Sequence, residues 1–213
     1  MKLYDYFRSS AAYRVRIALN LKGVKPSREF VHLRKNVQRS DDYLALNPQG
    51  LVPALVTDAG DVLTQSLAII DYLDETHPEP PLLPATATDR ARVRGIALAI
   101  ACDIHPLNNL RVLLYLKNTL GVSDEQKDAW YKYWIDIGLE ALELRLSREP
   151  ATGSFCHGDA PTLADICLLP QLANARRMKV DLAPFPTLTR IEAACNTLAA
   201  FADAAPARQP DAE

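Results

Sequence analysis

The chain has 213 residues, 48% of them hydrophobic and 23% charged, with a formal net charge of −2. That balance belongs to a globular protein with material for one large domain or two small ones, and it offers no basic field for nucleic acid. No apolar run reaches the roughly 18 residues that cross a bilayer. The start, Met1-Lys2-Leu3-Tyr4-Asp5, has no secretory h-region, so a cytoplasmic protein without a membrane partner is expected. Cys102, Cys156, Cys167 and Cys195 show no CxxC spacing and no histidines arranged beside them, which predicts free thiols and no metal.

Leu3-Tyr4-Asp5-Tyr6-Phe7 reads as a short strand that hands over to a helix over residues 10–21, ended by Gly23 and Pro26. Residues 28–32 suit a second strand, and Ser40 caps a short helix over residues 41–44. After the turn Asn47-Pro48-Gln49-Gly50, two apolar runs around Ala59-Gly60 read as a hairpin. Ser66 then caps a helix over residues 67–73. A βαβ unit followed by a hairpin and a helix is an α/β layer arrangement.

Two of these helix starts point to chemistry. Ser9-Ser10 and Ser66 each stand where unpaired backbone N–H groups and the positive end of a helix dipole stabilise an anion. The structural alternative is that these serines only cap their helices.

The character changes at His77-Pro78-Glu79-Pro80-Pro81-Leu82-Leu83-Pro84, whose prolines exclude a regular helix and predict a stiff linker. Domains are expected over residues 1–80 and 88–213, joined by a linker over 81–87. The second is helical: periodicity predicts helices over 89–118, 123–147 and 162–177, with a weaker one from 186 onward. Trp130-Tyr131-Lys132-Tyr133-Trp134 reads as aromatic packing, and Thr162-x-x-Asp165 as a capping box fixing a buried helix start. Arg14 and Arg16 are expected in salt bridges, and the polar tail over 205–213 is expected to fray.

These parts together resemble a cytosolic glutathione transferase of the zeta class. The likeness is carried by Ser9-Ser10 with Tyr13-Arg14-Val15-Arg16-Ile17-Ala18-Leu19, by Ala45-Leu46-Asn47-Pro48, Val52-Pro53 and Gln65-Ser66-Leu67-Ala68-Ile69-Ile70. It continues in Pro106-Leu107-Asn108-Asn109-Leu110, Gly158-Asp159, Thr162-Leu163-Ala164-Asp165 and Pro170-Gln171-Leu172-Ala173-Asn174-Ala175. The resemblance implies a thioredoxin-like N-terminal domain followed by an all-helical C-terminal domain, that is, α/β plus all-α. It also implies a homodimer and glutathione as cofactor. Val52 would pair its backbone with the glutathione cysteine, Pro53 would be a cis-proline, and Gln65 and Ser66 would hold the γ-glutamyl carboxylate. Gln38, His105 and Asn109 would lie near the glycyl end. Ser9 would face the thiol, with Ser10 and Ala11 beside it at the helix start.

The family commonly carries a cysteine directly after the two serines, and this chain has Ala11. The reactive sulfur is therefore expected from glutathione, whose thiol a serine hydroxyl and a helix N-terminus can hold as thiolate. The implied reaction is cis–trans isomerisation of a maleyl oxo-acid, maleylpyruvate to fumarylpyruvate, with maleylacetoacetate as the alternative substrate. General glutathione transfer and non-enzymatic glutathione binding are the competing readings. Such a substrate is a dicarboxylate, so arginines are its natural partners. Arg8, Arg111 and Arg176 are the candidates, although Arg176 stands in a last helical turn where it also complements the dipole. Adjacent Arg177 is not separable from Arg176 by sequence.

Overall fold

Strand β1 (Lys2–Asp5) turns Leu3 and Asp5 inward and leads through Tyr6–Arg8 into helix α1 (Ser10–Leu21). The helix carries the chain over to β2 (Ser27–Phe30), which lies parallel to β1. After α2 (Asp41–Leu46), strand β3 (Ala54–Val56) runs antiparallel to β1 with Leu3 opposite Leu55. The hairpin strand β4 (Val62–Thr64) completes a four-stranded sheet of order β2-β1-β3-β4, and α3 (Ser66–Thr76) follows. This is the expected strand–helix–strand–helix–strand–strand–helix order. Strand β2 stops short of the expected His32, because that residue turns to accept the Lys35 N–H on Nδ1 at 3.2 Å and starts a 3-10 turn.

The computed structural model describes all 213 residues, arranged as two units. One comprises Met1–Pro81 together with Thr197–Glu213, and the other Leu82–Asn196. The tail expected to fray is instead ordered within the first unit. Helix α9 (Ala199–Ala202) packs on α1 through the fully buried Phe201. Gln209 is 6% exposed, and its amide donates to the Asp203 and Ala205 carbonyls at 2.9 and 2.8 Å. Polar composition predicted fraying; these internal hydrogen bonds and one aromatic anchor override it.

Helix α1 is buried along most of its length, Arg14 and Arg16 included. Arg16 forms an ion pair with Asp5 at 2.8 Å, and Arg28 binds the other oxygen of that wholly buried carboxylate. The Arg16 guanidinium also donates to the carbonyls of Phe7 at 3.0 Å and Ala204 at 2.9 Å. Burial pulls this guanidinium below its ordinary value, and the Asp5 charge opposes that shift.

The second unit holds α4 (Ala87–Leu98), α5 (Leu110–Asn118), α6 (Asp124–Arg148), α7 (Leu163–Arg177) and α8 (Pro186–Asn196). The single helix expected over 89–118 is interrupted by a π-helical stretch, Ala99–Ile104, and a 3-10 turn, His105–Asn108. Pro106 is the cause: it has no N–H to continue the ladder, so the helix widens before it and restarts at the Asn109 cap. Gly138 of α6 lets Ile104 approach, since a Cβ there would stand 2.2 Å from Ile104 Cδ1. Asp165 forms the expected buried capping box, accepting from the Thr162 N–H at 2.8 Å and the Cys156 N–H at 2.7 Å.

Removing Arg16 leaves Asp5 with one cation fewer and the Phe7 and Ala204 carbonyls without this donor. An Arg16→Met variant is expected to lose roughly 3–5 kcal/mol of stability, as when one partner of a buried pair is deleted. Urea unfolding followed by circular dichroism measures this, and a loss below about 1 kcal/mol, as for an exposed pair, would refute the buried-pair account.

Candidate active site

In the first unit, Ser9 is the N-cap of α1: its Oγ accepts the Ala12 N–H at 3.1 Å. The capping alternative is thus correct as geometry, and it does not compete with chemistry. An oxygen that accepts from the helix still has its own hydrogen to donate outward. Ser10 is buried as the first residue of α1, and Ala11 follows it half-buried. No acidic residue occupies the first turn, so the dipole's positive end is not neutralised there.

The start of α3 has a different construction. Gln65, not Ser66, stands at the N-cap, and no side chain caps the helix. Gln65 has φ 69° and ψ 118°, a backbone state that costs a residue with a side chain about 1–3 kcal/mol. Its Nε2 donates to Gln49 Oε1 at 2.9 Å, and its carbonyl accepts the Ile69 N–H at 3.0 Å. Ser66 is buried, and its hydroxyl lies 3.4 Å from Arg14 Nη1. This contact ties the first half of α1 to the start of α3. Arg14 therefore makes an internal bond to a hydroxyl of the neighbouring helix.

Val52 and Pro53 precede β3, and the peptide between them is cis, as the resemblance implies. Two donors converge on the carbonyl just before them. Tyr43 Oη donates to Leu51 O at 2.7 Å and Asn47 Nδ2 to the same oxygen at 2.8 Å. Val52 also packs in one apolar cluster with Tyr6, Phe7, Val31 and Tyr43. The strand end that leads into Arg8-Ser9 and the segment containing Val52 thus share a core. Gln38 is buried in a 3-10 turn, with its Oε1 lacking a hydrogen-bond partner. Arg8 is exposed and pairs with no carboxylate.

The remaining candidates lie in the second unit. His105 opens the 3-10 turn in helical conformation, a state that a following proline disfavours. Asn109 caps α5, its Oδ1 accepting the Arg111 N–H at 3.1 Å. Arg111 is exposed on the first turn of that helix, with its guanidinium in no ion pair. Arg176 is committed elsewhere: it grips Glu192 through Nε at 2.9 Å and Nη2 at 2.5 Å. That pairing raises its ordinary value. Arg177 donates to Tyr131 Oη at 2.9 Å and lies over the same ring. The geometry thus separates two arginines that sequence could not, and Arg177 is the one without a carboxylate.

Sequence reasoning missed Gln49 and Tyr43. The turn signal of Asn47-Pro48-Gln49-Gly50 concealed a side chain that holds Gln65, and nothing in the short helix over residues 41–44 announces that the Tyr43 hydroxyl reaches the Leu51 carbonyl.

Comparison with known proteins decides the family. A model of the glutathione S-transferase N-terminal domain matches residues 3–81, and one of the C-terminal domain matches residues 135–204. The chain belongs to the glutathione S-transferase family. It is 51% identical over 211 residues to a maleylpyruvate isomerase from a Ralstonia species, covering 99% of each chain. Its structure matches a holo maleylpyruvate isomerase described as a bacterial zeta-class glutathione S-transferase. The TM-score is 0.97 at 50% identity, with 100% of both chains covered. It also matches a maleylacetoacetate isomerase of Anaeromyxobacter dehalogenans 2CP-1, solved with dicarboxyethyl glutathione and citrate in its active site. There the TM-score is 0.87 at 42% identity, covering 100% of this chain and 97% of that one.

Burial pushes the Tyr43 phenol up to about 12. Its folded value therefore exceeds the ordinary value of about 10. The stabilisation is complete below pH of about 10 and is lost as pH rises through the folded value. A Tyr43→Phe variant gives up the Leu51 bond at neutral pH, and its stability should then fall less steeply than wild type across that alkaline window. Urea midpoints at several alkaline pH values test this; equal slopes would exclude Tyr43 as the titrating group.

Proposed function

We propose that this protein is a glutathione-dependent isomerase that converts a maleyl oxo-acid to its fumaryl isomer, with maleylpyruvate the preferred substrate and maleylacetoacetate the alternative. The observation that carries the reading is the Arg14–Ser66 contact, which ties the first half of α1, the helix that Ser9 caps, to the uncapped start of α3. Two helix N-termini suit a peptide that bears both a thiolate and a carboxylate. The related protein holding dicarboxyethyl glutathione supports the same chemistry, because that ligand is glutathione's sulfur joined to a saturated dicarboxylate.

In this reading Gln65 and Ser66 hold the γ-glutamyl carboxylate, and Val52 pairs with the cysteinyl backbone. Gln38, His105 and Asn109 attend the glycyl end. Ser9 donates to the sulfur and keeps it as thiolate, with Ser10 and Ala11 behind it; no thiol of the protein takes part. The thiolate adds to the cis double bond, and the displaced electron pair moves onto the conjugated carbonyl oxygen as an enolate. The former double bond, now single, rotates. The enolate re-forms its carbonyl, the trans double bond appears and the thiolate leaves unchanged. Arg8 and Arg111 bind the substrate carboxylates and the developing enolate charge. We assign the third position to Arg177 in place of Arg176, whose fork Glu192 already fills. The protein works as a homodimer in the cytoplasm.

Exposed arginines without carboxylate partners favour an anionic substrate over the apolar electrophiles of a general transferase, whose pockets are predominantly apolar. The direct test follows loss of maleylpyruvate with purified protein and glutathione; absence of a glutathione-dependent rate rejects the isomerase. Ser9→Ala should lower turnover by about 10²-fold, comparable to losing one charge-stabilising donor, and should move the acid limb of the pH–rate profile upward. An unmoved limb would remove Ser9 from the thiol. Arg111→Ala should raise KM for the diacid about tenfold or more and spare glutathione affinity, since a lost charge-assisted bond is worth about 1.5–3 kcal/mol. Equal effects on both ligands would place Arg111 outside the substrate site.

A further inference from the structure

The turn that delivers Arg8 and Ser9 is held from both sides of Phe7. The Phe7 carbonyl accepts from Arg16 Nη2 at 3.0 Å, as its burial in the Arg16–Asp5 network requires. The Phe7 N–H is donated to a group 204 residues away in sequence, Asp211 Oδ2, at 2.9 Å. Between them the Ser9 N–H closes the turn onto the Tyr6 carbonyl at 3.0 Å. Asp211 is itself fixed. Gln209 locks the preceding 3-10 turn from within, Ala212 donates back to the Gln209 carbonyl at 3.0 Å, and Glu213 reaches His32 at 2.5 Å. The other Asp211 oxygen, Oδ1, is buried without a hydrogen-bond partner, as is the Tyr6 hydroxyl. Leaving a carboxylate oxygen buried and unpaired is unfavourable, and here that cost attends an acceptor aimed at one particular amide.

We propose that Asp211 is a positioning residue: its carboxylate holds the Phe7 N–H so that the turn presents the Ser9 hydroxyl and the Arg8 guanidinium in fixed geometry. The proposal rests on the isomerase reading for its effect on chemistry, although the hydrogen bond itself does not. The tail thereby acts on the reaction through the backbone, with no contact to substrate. A hydroxyl misplaced by a fraction of an ångström stabilises a thiolate less well, so loosening this turn alters the chemical step more than global stability.

The test compares full-length wild type with Asp211→Ala and Asp211→Asn. Asparagine retains a carbonyl acceptor and removes the charge, so it separates the hydrogen bond from electrostatics. In the ligand-free protein, Phe7 amide exchange measured by NMR should be roughly tenfold faster in the alanine variant and near wild type in the asparagine variant. With glutathione and maleylpyruvate, Asp211→Ala should lower kcat several-fold, to about tenfold, and shift the acid limb of the pH–rate profile upward. Asp211→Asn should restore both. Unchanged Phe7 exchange in Asp211→Ala overturns the proposal, as does faster exchange with kinetics and pH profile intact. An asparagine variant as impaired as alanine also overturns it, because charge and not the amide contact would then be responsible. If wild type shows no isomerisation, the functional reading fails, and Phe7 exchange alone still decides whether Asp211 holds the turn.

Discussion

The buried carboxylate of Asp5 is the fixed point of the first unit. It ends β1, it is wholly enclosed, and two guanidiniums and the Tyr6 N–H at 2.7 Å satisfy it. Burying a carboxylate is tolerable only with such complete pairing, and the pairing has consequences for position. Arg28 brings in the parallel neighbour strand. Arg16 brings in the crossover helix, the Phe7 carbonyl and the Ala204 carbonyl of the C-terminal segment. One charged centre thereby sets the register of strand end, turn, helix and tail, which is an arrangement an apolar cluster would specify far less sharply.

From that centre the candidate site follows by short steps. The strand end is fixed, so the Tyr6–Ser9 turn is fixed, and with it the start of α1 and the Ser9 hydroxyl that caps it. Arg14, one helical turn on, ties the start of α3 to the same helix. Tyr43 and Asn47 hold the Leu51 carbonyl and so the approach to Val52. None of these supporting residues needs to touch a ligand. Their task is to make a strained backbone at Gln65 and the uncapped start of α3 stable in a folded chain.

Local signals made much of this legible. The alternation of β1, the Asn47-Pro48-Gln49-Gly50 turn, the hairpin and the Thr162–Asp165 capping box all depend on neighbours within a few residues, and each is present, although β1 ends at Asp5, two residues before the expected Phe7. Interactions between distant residues were illegible. The interrupted helix before Pro106 shows a local signal outweighed in the opposite sense: periodicity ran through a proline that the backbone does not ignore. The tail reads as polar and frays on paper, because nothing in residues 205–213 announces partners at Phe7 and His32. Arg176 and Arg177 look identical in sequence, and only the arrival of Glu192 from the next helix distinguishes them. Arg16 is the clearest case, since its buried partner lies eleven residues back and its other acceptors lie at both ends of the chain.

The return of residues 197–213 to the first unit bears on how the protein is made. The helical unit is, topologically, an insertion within the other. A ribosome delivering this chain releases the sheet and α1 early, but the seat of Phe201 on α1 and the Ala204 carbonyl acceptor of Arg16 wait for residues 197–213 to emerge. Leu82–Asn196 is contiguous and can complete its core first, while the domain translated first is finished last. The nascent chain therefore carries a half-built sheet domain whose Arg16 lacks one of its acceptors, the Ala204 carbonyl, until residues 197–213 emerge. In that interval, holding by a chaperone would matter most to this fold.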